Sequence, residues 1–412
     1  MDRETVLVGI DPGTTKVTTL IGEVSDGGDV NVIGYGIAPS VGLKKGMVAN
    51  IDQTVSSIAT SIEKAERLSG YKISSAFVAV GGSHITSQNS RGVVAVSGHR
   101  REVSREDVAR ATEAAKAVQV PSNREILHVL PRGYIVDGQE GIKDPLGMSA
   151  VRLEVETHIV AGAATSLQNL SKCVTNANVQ IDELVISSLA AAEATLTDTE
   201  RELGVIVADI GGGTTDLAVF VDGAVHHSAV IPVGGINVTN DVAIGLRTSL
   251  TLAEEIKIRH GTASVADVLP EELLNVAVLG EGGGQTIQRR RLSEIVEARM
   301  RELYELIREE VNRSGHAGPL PAGLVLTGGA ARLSGAAELA RDVLEMPVRV
   351  ASPQGVGGLM DQLANPAFST SLGLLLWGAR HVGGEPLGYA TSSPVGANWG
   401  RFTGWLRGLF PG

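Results

Sequence analysis

Two short stretches of this chain combine carboxylates, glycines and hydroxyls at a spacing that suits a phosphate chain: Asp11-Pro-Gly-Thr-Thr-Lys16 and Asp209-Ile-Gly-Gly-Gly-Thr-Thr-Asp216. In the second, Gly211, Gly212 and Gly213 have no Cβ to block close approach. Their N–H groups, with the Thr214 and Thr215 hydroxyls, can face phosphate oxygens as an anion nest. Asp209 and Asp216 bracket the turn and can hold a hydrated Mg²⁺ or orient a water. In the first, Gly13, Thr14 and Thr15 repeat the pattern, Lys16 can reach a β- or γ-phosphate, and Asp11 faces the metal alongside Asp209.

The elements that must position these groups are legible on either side of them. Each stretch follows an apolar, β-branched run and precedes a second apolar run, which predicts strand, tight turn, strand. Two such hairpins predict a duplicated α/β fold in which each half supplies one jaw around the phosphates. The strand Leu324-Val-Leu-Thr ends in Gly328-Gly329, where the backbone can approach a base and ribose, and Arg332 can stack its guanidinium on the ring.

The two hairpins and Leu326-Thr-Gly-Gly-Ala-Ala-Arg332 resemble the phosphate 1, phosphate 2 and adenosine motifs of the actin, heat-shock chaperone and sugar kinase ATPase superfamily. Over nearly its full length the chain resembles the FtsA family of bacterial division proteins. The resemblance implies a duplicated actin-like (ribonuclease H-like) ATPase fold that binds ATP and Mg²⁺. Glu254 and Lys257 share a helical face and suit ribose hydroxyls, a task the superfamily gives to an A-E-x-x-K segment. Several relatives place a Glu or Gln near the start of the alanine-rich helix to position the attacking water. Ser187 and Ser188 stand there in this chain, and neither is a good base, so hydrolysis is expected to be slow at most. Glu193 lies about two turns further along and faces elsewhere.

The expected partition follows. Residues 1–83, 163–203 and 368–382 form the first actin-like half, and residues 204–248 with 318–367 form the second. Residues 249–317 form a small subdomain. Within 84–162, a strand at 92–97, a helix from Ser104 through Val118 with a capping box, and strands at 125–136 and 151–160 resemble the subdomain that FtsA carries in place of actin's usual small one. In the family it serves filament contacts and recruitment of later division proteins. A helix is predicted from Ser293 to Arg313, preceded by Arg289, Arg290 and Arg291. In the family this region docks the acidic C-terminal tail of FtsZ, and basic residues suit an acidic peptide.

The chain has 412 residues and a net charge of −11, which gives no electrostatic footprint for nucleic acid. A single cysteine, Cys173, rules out an intramolecular disulfide framework and fits a reducing cytosol. The charged start, Met1-Asp-Arg-Glu, does not read as a signal peptide, and no stretch approaches the roughly 18 apolar residues of a membrane span.

Residues 383–398 read as a Gly/Pro/Ser-rich flexible linker. Beyond them, two of the three tryptophans and two of the five phenylalanines fall within residues 399–410. At about 100° per residue, Trp399, Phe402, Trp405, Leu406, Leu409 and Phe410 share one face, with Arg401 and Arg407 outside it. That pattern predicts an interfacial amphipathic helix at the inner leaflet of the cytoplasmic membrane. Gly400, Gly404 and Gly408 each cost it about 1 kcal/mol against alanine, so folding is expected to accompany membrane binding. The combined expectation is a peripheral membrane protein of the division site that polymerises with itself and tethers FtsZ. Two alternatives compete with it, a type IV pilus inner-membrane assembly relative and a small-molecule kinase of the same superfamily. The former generally lacks such a tail, and the latter requires a catalytic Asp for which no convincing candidate is found. Walker A and G-x-G-x-x-G patterns are absent. The nine histidines show no metal-ligand spacing and read as structural or surface residues.

Overall fold

The computed structural model describes residues 5–25, 27–97, 101–117, 120–277, 284–316, 318–382 and 390–391. Two sheets of one plan carry it. In the first, strands Thr5–Pro12 and Lys16–Val24 form the first hairpin, Val30–Pro39 adds a third antiparallel strand, and Ser75–Val80 runs parallel to Thr5–Pro12. In the second, Val205–Ile210 and Thr215–Val221 form the second hairpin, Ala224–Ile231 is the third strand, and Gly323–Thr327 runs parallel to Val205–Ile210. This repeated order, antiparallel meander plus a parallel partner beside the first strand, is the expected duplication. The central strands are buried along most of their length because helices cover the sheets, and their continuous apolar runs reflect that.

Two connecting helices, Ser187–Thr195 and Ser369–Val382, join the halves and pack on each other. Small residues permit the close crossing: a Cβ on Gly373 would lie 1.7 Å from the Ala190 carbonyl oxygen. Glu193, one turn beyond, is buried and pairs with Arg201 at 3.3 Å and Arg380 at 2.9 Å. It faces away from the cleft, as the sequence predicts.

The inserted segment builds its own sheet from Ile85–Ala95, Arg124–Val136, Gln139–Ile142 and Arg152–Ala163, covered by helix Arg105–Lys116. Ser104 and Asp107 cap that helix reciprocally, as expected. The sheet docks on the second half through polar groups. His158 Nε2 lies 2.9 Å from Ser228 Oγ, and Ser87 donates to the Ser228 carbonyl at 2.7 Å.

Three expectations need correction or limits. The long helix runs from Arg289 to Arg313, so the three arginines occupy its first turn rather than preceding it. Leu292 and Ser293 are fully buried, and that packing requires the helical register to begin earlier. Within the stretch read as a linker, Ala390–Thr391 pairs antiparallel with Val129 and His128. It takes an edge of strand Arg124–Val136 upstream of the part covered by Gln139–Ile142, where open backbone groups favour pairing. Residues 399–410, with Trp399, Arg401, Phe402, Trp405, Leu406, Arg407, Leu409 and Phe410, lie outside the described residues, as does the glycine loop at 280–283. Among the described residues no helix is long and apolar enough to cross a membrane.

Candidate functional site

The two hairpin tips meet. A Cβ on Gly212 would lie 2.4 Å from Thr15 Cγ2, and one on Gly213 would lie 2.8 Å from Thr14 Oγ1. Between and beneath them is a cavity of about 110 Å³, lined among others by Asp11, Gly13, Thr14, Thr15, Lys16, Asp209, Gly211, Gly212, Thr214, Asp216, Gly328 and Gly329. Small-molecule sites usually begin near roughly 300 Å³, and this cavity is smaller. The second tip is fixed from behind: the Gly211 and Gly212 carbonyls accept the Gly235 and Ile236 N–H groups at 2.9 and 2.8 Å, at the start of helix Gly235–Leu246.

The charges are unequal in setting: Asp216 is buried, and Asp11, Lys16 and Asp209 are half-buried. Burial raises the Asp11 carboxyl against the opposing pull of Lys16 and a Ser371 hydrogen bond of 2.8 Å. Asp209 is pushed up to about 6 by burial and also by the Asp11 charge, while a hydrogen bond from Thr370 opposes the shift. Asp216 is pushed up to about 8, by burial first and then by Asp209. The strand register places Asp216 directly opposite Asp209, and like charges facing across a ladder repel. Burial lowers Lys16 although Asp11 and Asp209 both favour its charge. Its ammonium donates to the Ala367 carbonyl at 2.7 Å and lies 4.5 Å from the Phe368 ring centre. With Asp216 holding its proton up to about 8, Asp11 and Asp209 against the one Lys16 ammonium leave an excess of negative charge that a divalent cation would neutralise. The oxygen-only donor set of Asp11 and Asp209 fits Mg²⁺.

Several expected site residues stand elsewhere. The Thr215 hydroxyl does not face the cleft: it is fully buried and donates to the Val233 carbonyl at 2.8 Å. Alternation along the strand turns it to the face opposite Asp216. Thr214 does line the cleft, and its hydroxyl donates to Asp216 at 2.9 Å. Glu254 and Lys257 do share a helical face, but they line no part of the cavity. Lys257 binds Glu254 at 2.7 Å, Thr239 at 2.9 Å and the Gly235 carbonyl at 3.2 Å. Arg332, on the turn after Gly328 and Gly329, also lies off the cavity wall, although its charge acts on Lys16. The three arginines of the long helix are already engaged. Arg289 pairs with Glu272 at 2.6 Å, Arg290 with Glu294 at 3.3 Å, and Arg291 donates to the Gly245 carbonyl at 3.1 Å.

Sequence reasoning missed Thr370 and Ser371, which hold Asp209 and Asp11 from the first turn of the second connecting helix. Their signal was present: Ser369-Thr-Ser371 is a hydroxyl cluster opening an otherwise apolar helix, and all three are buried.

Residues 206–373 match the family model described as cell division protein FtsA, and residues 82–161 match that of the SHS2 domain inserted in FtsA. Cell division protein FtsA of Pseudomonas aeruginosa is 44% identical over 98% of this chain and 98% of its own length. The chain belongs to the FtsA family. It is therefore an actin-like cell division protein. FtsA of Escherichia coli K12 is 40% identical over 99% of both chains, and that of Bacillus subtilis 41% identical over 94% of this chain and 87% of its own. Solved structures share the fold at low identity. The PilM-PilN type IV pilus biogenesis complex gives a TM-score of 0.65 at 18% identity, covering 90% of this chain and 98% of that one. MreB5 of Spiroplasma citri bound to ADP gives 0.56 at 13%, covering 92% and 99%. These likenesses agree with the duplicated α/β reading made from the two hairpins, and the inserted FtsA-type domain falls where the sequence pattern changes.

Proposed function

We propose that this FtsA-family chain binds ATP with Mg²⁺ between its two hairpins, polymerises, and holds FtsZ filaments against the cytoplasmic membrane through residues 399–410, its inserted domain recruiting later division proteins. The observation that carries the nucleotide reading is the convergence of Asp11, Lys16, Asp209 and Asp216 in one buried cleft. Gly13 to Lys16 and Gly211 to Thr214 would flank the phosphates, and Asp11 and Asp209 would hold the hydrated metal. Gly328, Gly329 and Arg332 would serve the adenosine, and Glu254 and Lys257 the ribose once they exchange their present partners. Bound ATP supplies a phosphoanhydride whose cleavage needs a positioned water. Ser187, which lines the cleft, is too weak a base to activate one at neutral pH. Hydrolysis is accordingly slow, and nucleotide acts mainly as a ligand that controls assembly. The touching tips must part to admit a triphosphate, so binding and the relative setting of the two halves are linked.

An acidic FtsZ tail at Arg289, Arg290 and Arg291 would compete with Glu272 and Glu294. A single membrane-binding segment of residues 399–410 binds marginally, and a filament that presents many gains by avidity. Co-sedimentation with anionic liposomes tests the reading, comparing the full chain with one truncated after Ala397, with and without ATP and Mg²⁺. Binding that needs the terminal residues and rises with nucleotide supports it. Equal binding by the truncated chain overturns the membrane assignment.

A further inference from the structure

One buried ring of the inserted domain touches the backbone that leads into the cleft. His128 lies on strand Arg124–Val136, is fully buried, and its Nε2 accepts the Ile186 N–H at 3.2 Å. Ile186 ends strand Gln180–Ile186 and is the N-cap residue of the first connecting helix, a position its side chain cannot cap. Ser187 follows directly and carries the hydroxyl that lines the cleft. Because a backbone N–H is the donor, Nε2 is unprotonated and the ring proton sits on Nδ1, which faces Glu183 Oε1 at 3.7 Å. The Trp377 ring meets the imidazole edge-on at 5.5 Å, and its Nε1 donates to Glu183 Oε2 at 3.1 Å. A register shift between Ile181 and Glu183 accompanies this inward-facing carboxylate. The ring therefore joins the inserted sheet, the strand-to-helix junction and the second connecting helix. On the cleft side of the junction, a Cβ on Gly81 would lie 2.9 Å from Asp216 Oδ1 and 3.1 Å from Ser187 Oγ, so these two oxygens flank one point.

We propose that His128 is a positioning residue for the nucleotide site: by accepting the Ile186 N–H it helps fix the junction that sets Ser187 on the cleft wall it shares with Gly81 and Asp216, and so makes the cleft depend on the seating of the inserted domain. The inference rests on the nucleotide reading above. An acceptor on a different domain holds the backbone one residue ahead of a cleft hydroxyl, so a shift of the inserted sheet acts on Ser187 through that hydrogen bond, against the hold of Val80, which pairs with Ile186 and whose carbonyl accepts the Ser187 hydroxyl at 3.3 Å.

The test is a double-mutant cycle on the full chain. His128→Leu, His128→Gln, Ser187→Ala and the double variant H128L/S187A are titrated with a fluorescent ATP analogue and Mg²⁺, and melted without nucleotide. His128→Leu is expected to weaken affinity about tenfold, one hydrogen bond's worth of alignment. His128→Gln, whose Oε1 can replace Nε2, is expected to stay within about twofold of the parent, and the double variant to be no weaker than Ser187→Ala, because both changes act on one group. Additive losses, or a His128→Gln as weak as His128→Leu while melting normally, overturn the proposal. If His128→Leu does not fold, His128→Asn takes its place: it keeps a polar group towards Glu183 but offers no acceptor at the Nε2 position. A parent chain that binds no nucleotide defeats the underlying reading, whereas a binding parent with a failed cycle defeats this inference alone.

Discussion

The two hairpins share a grammar but not a charge. In the first, Asp11 stands opposite Thr18, and Lys16 opens the returning strand. In the second, Asp209 stands opposite Asp216, and the hairpin supplies no cation of its own. One tip is internally balanced, and the other concentrates two carboxyls, Asp216 buried and Asp209 half-buried, that keep their protons well above the usual carboxylate range. Duplication therefore supplied the shape twice and divided the electrostatics: the first hairpin brings the ammonium, and the second brings the demand for one.

Removing the ammonium should have the largest effect. Lys16→Ala leaves Asp11 and Asp209 without their shared cation, and nucleotide-dependent assembly, followed by light scattering, is expected to need about 10²-fold or more nucleotide, the scale of losing one preorganised charge donor. If Lys16→Ala and Asp216→Asn are equally mild, the division of labour is wrong.

The next effect is a pH slope in the nucleotide-free protein. Folded Asp216 holds its proton up to about 8 and folded Asp209 up to about 6, whereas an unfolded Asp releases its proton near 3.8. Folding thus takes up protons between those values, so stability is greatest below about pH 4 for these two groups and declines as pH rises towards 8. Urea denaturation at pH 6 and 8 should show the loss, on the order of a few kcal/mol or less. Asp216→Asn should flatten the slope, and so should millimolar Mg²⁺. An unchanged slope in Asp216→Asn would place the proton uptake elsewhere.

A smaller change is expected from Thr370→Val. It strips one charge-assisted hydrogen bond from Asp209 and should cost about 1.5–3 kcal/mol at pH 8, and less at pH 5, where the carboxyl is largely protonated. Smallest is Thr215→Val. Its hydroxyl serves the Val233 carbonyl, so denaturation should detect about 1 kcal/mol while nucleotide affinity stays unaltered. Loss of affinity would return Thr215 to the cleft.

What could be read from sequence was local. Strand, glycine turn and strand lie within a few residues, so both hairpins and the duplicated fold could be inferred from neighbouring residue types. The inserted domain was legible in the strand-helix-strand-strand order of residues 84–162 and its resemblance to the FtsA subdomain, with the capping box at Ser104 and Asp107 marking its helix. Thr370 and Ser371 could not be assigned in the same way, because they meet Asp209 and Asp11 only when the second connecting helix crosses back over the first sheet. Thr215 was misread because a turn was treated as a whole, whereas the strand alternation that governs side-chain direction begins at that residue. Three consecutive arginines carry no apolar periodicity, so the helix start at Arg289 is set by the burial of Leu292, which the local pattern does not reveal.

The pairing of Ala390–Thr391 with strand Arg124–Val136 has a mechanical consequence. Tension applied to the chain beyond Thr391 meets the inserted sheet before it can reach the helix ending at Val382. Thr391 lies opposite His128, so the load would enter at the same rung whose ring holds Ile186. The two-residue ladder is a short fuse in that path: a pull strong enough to open it would release the sheet.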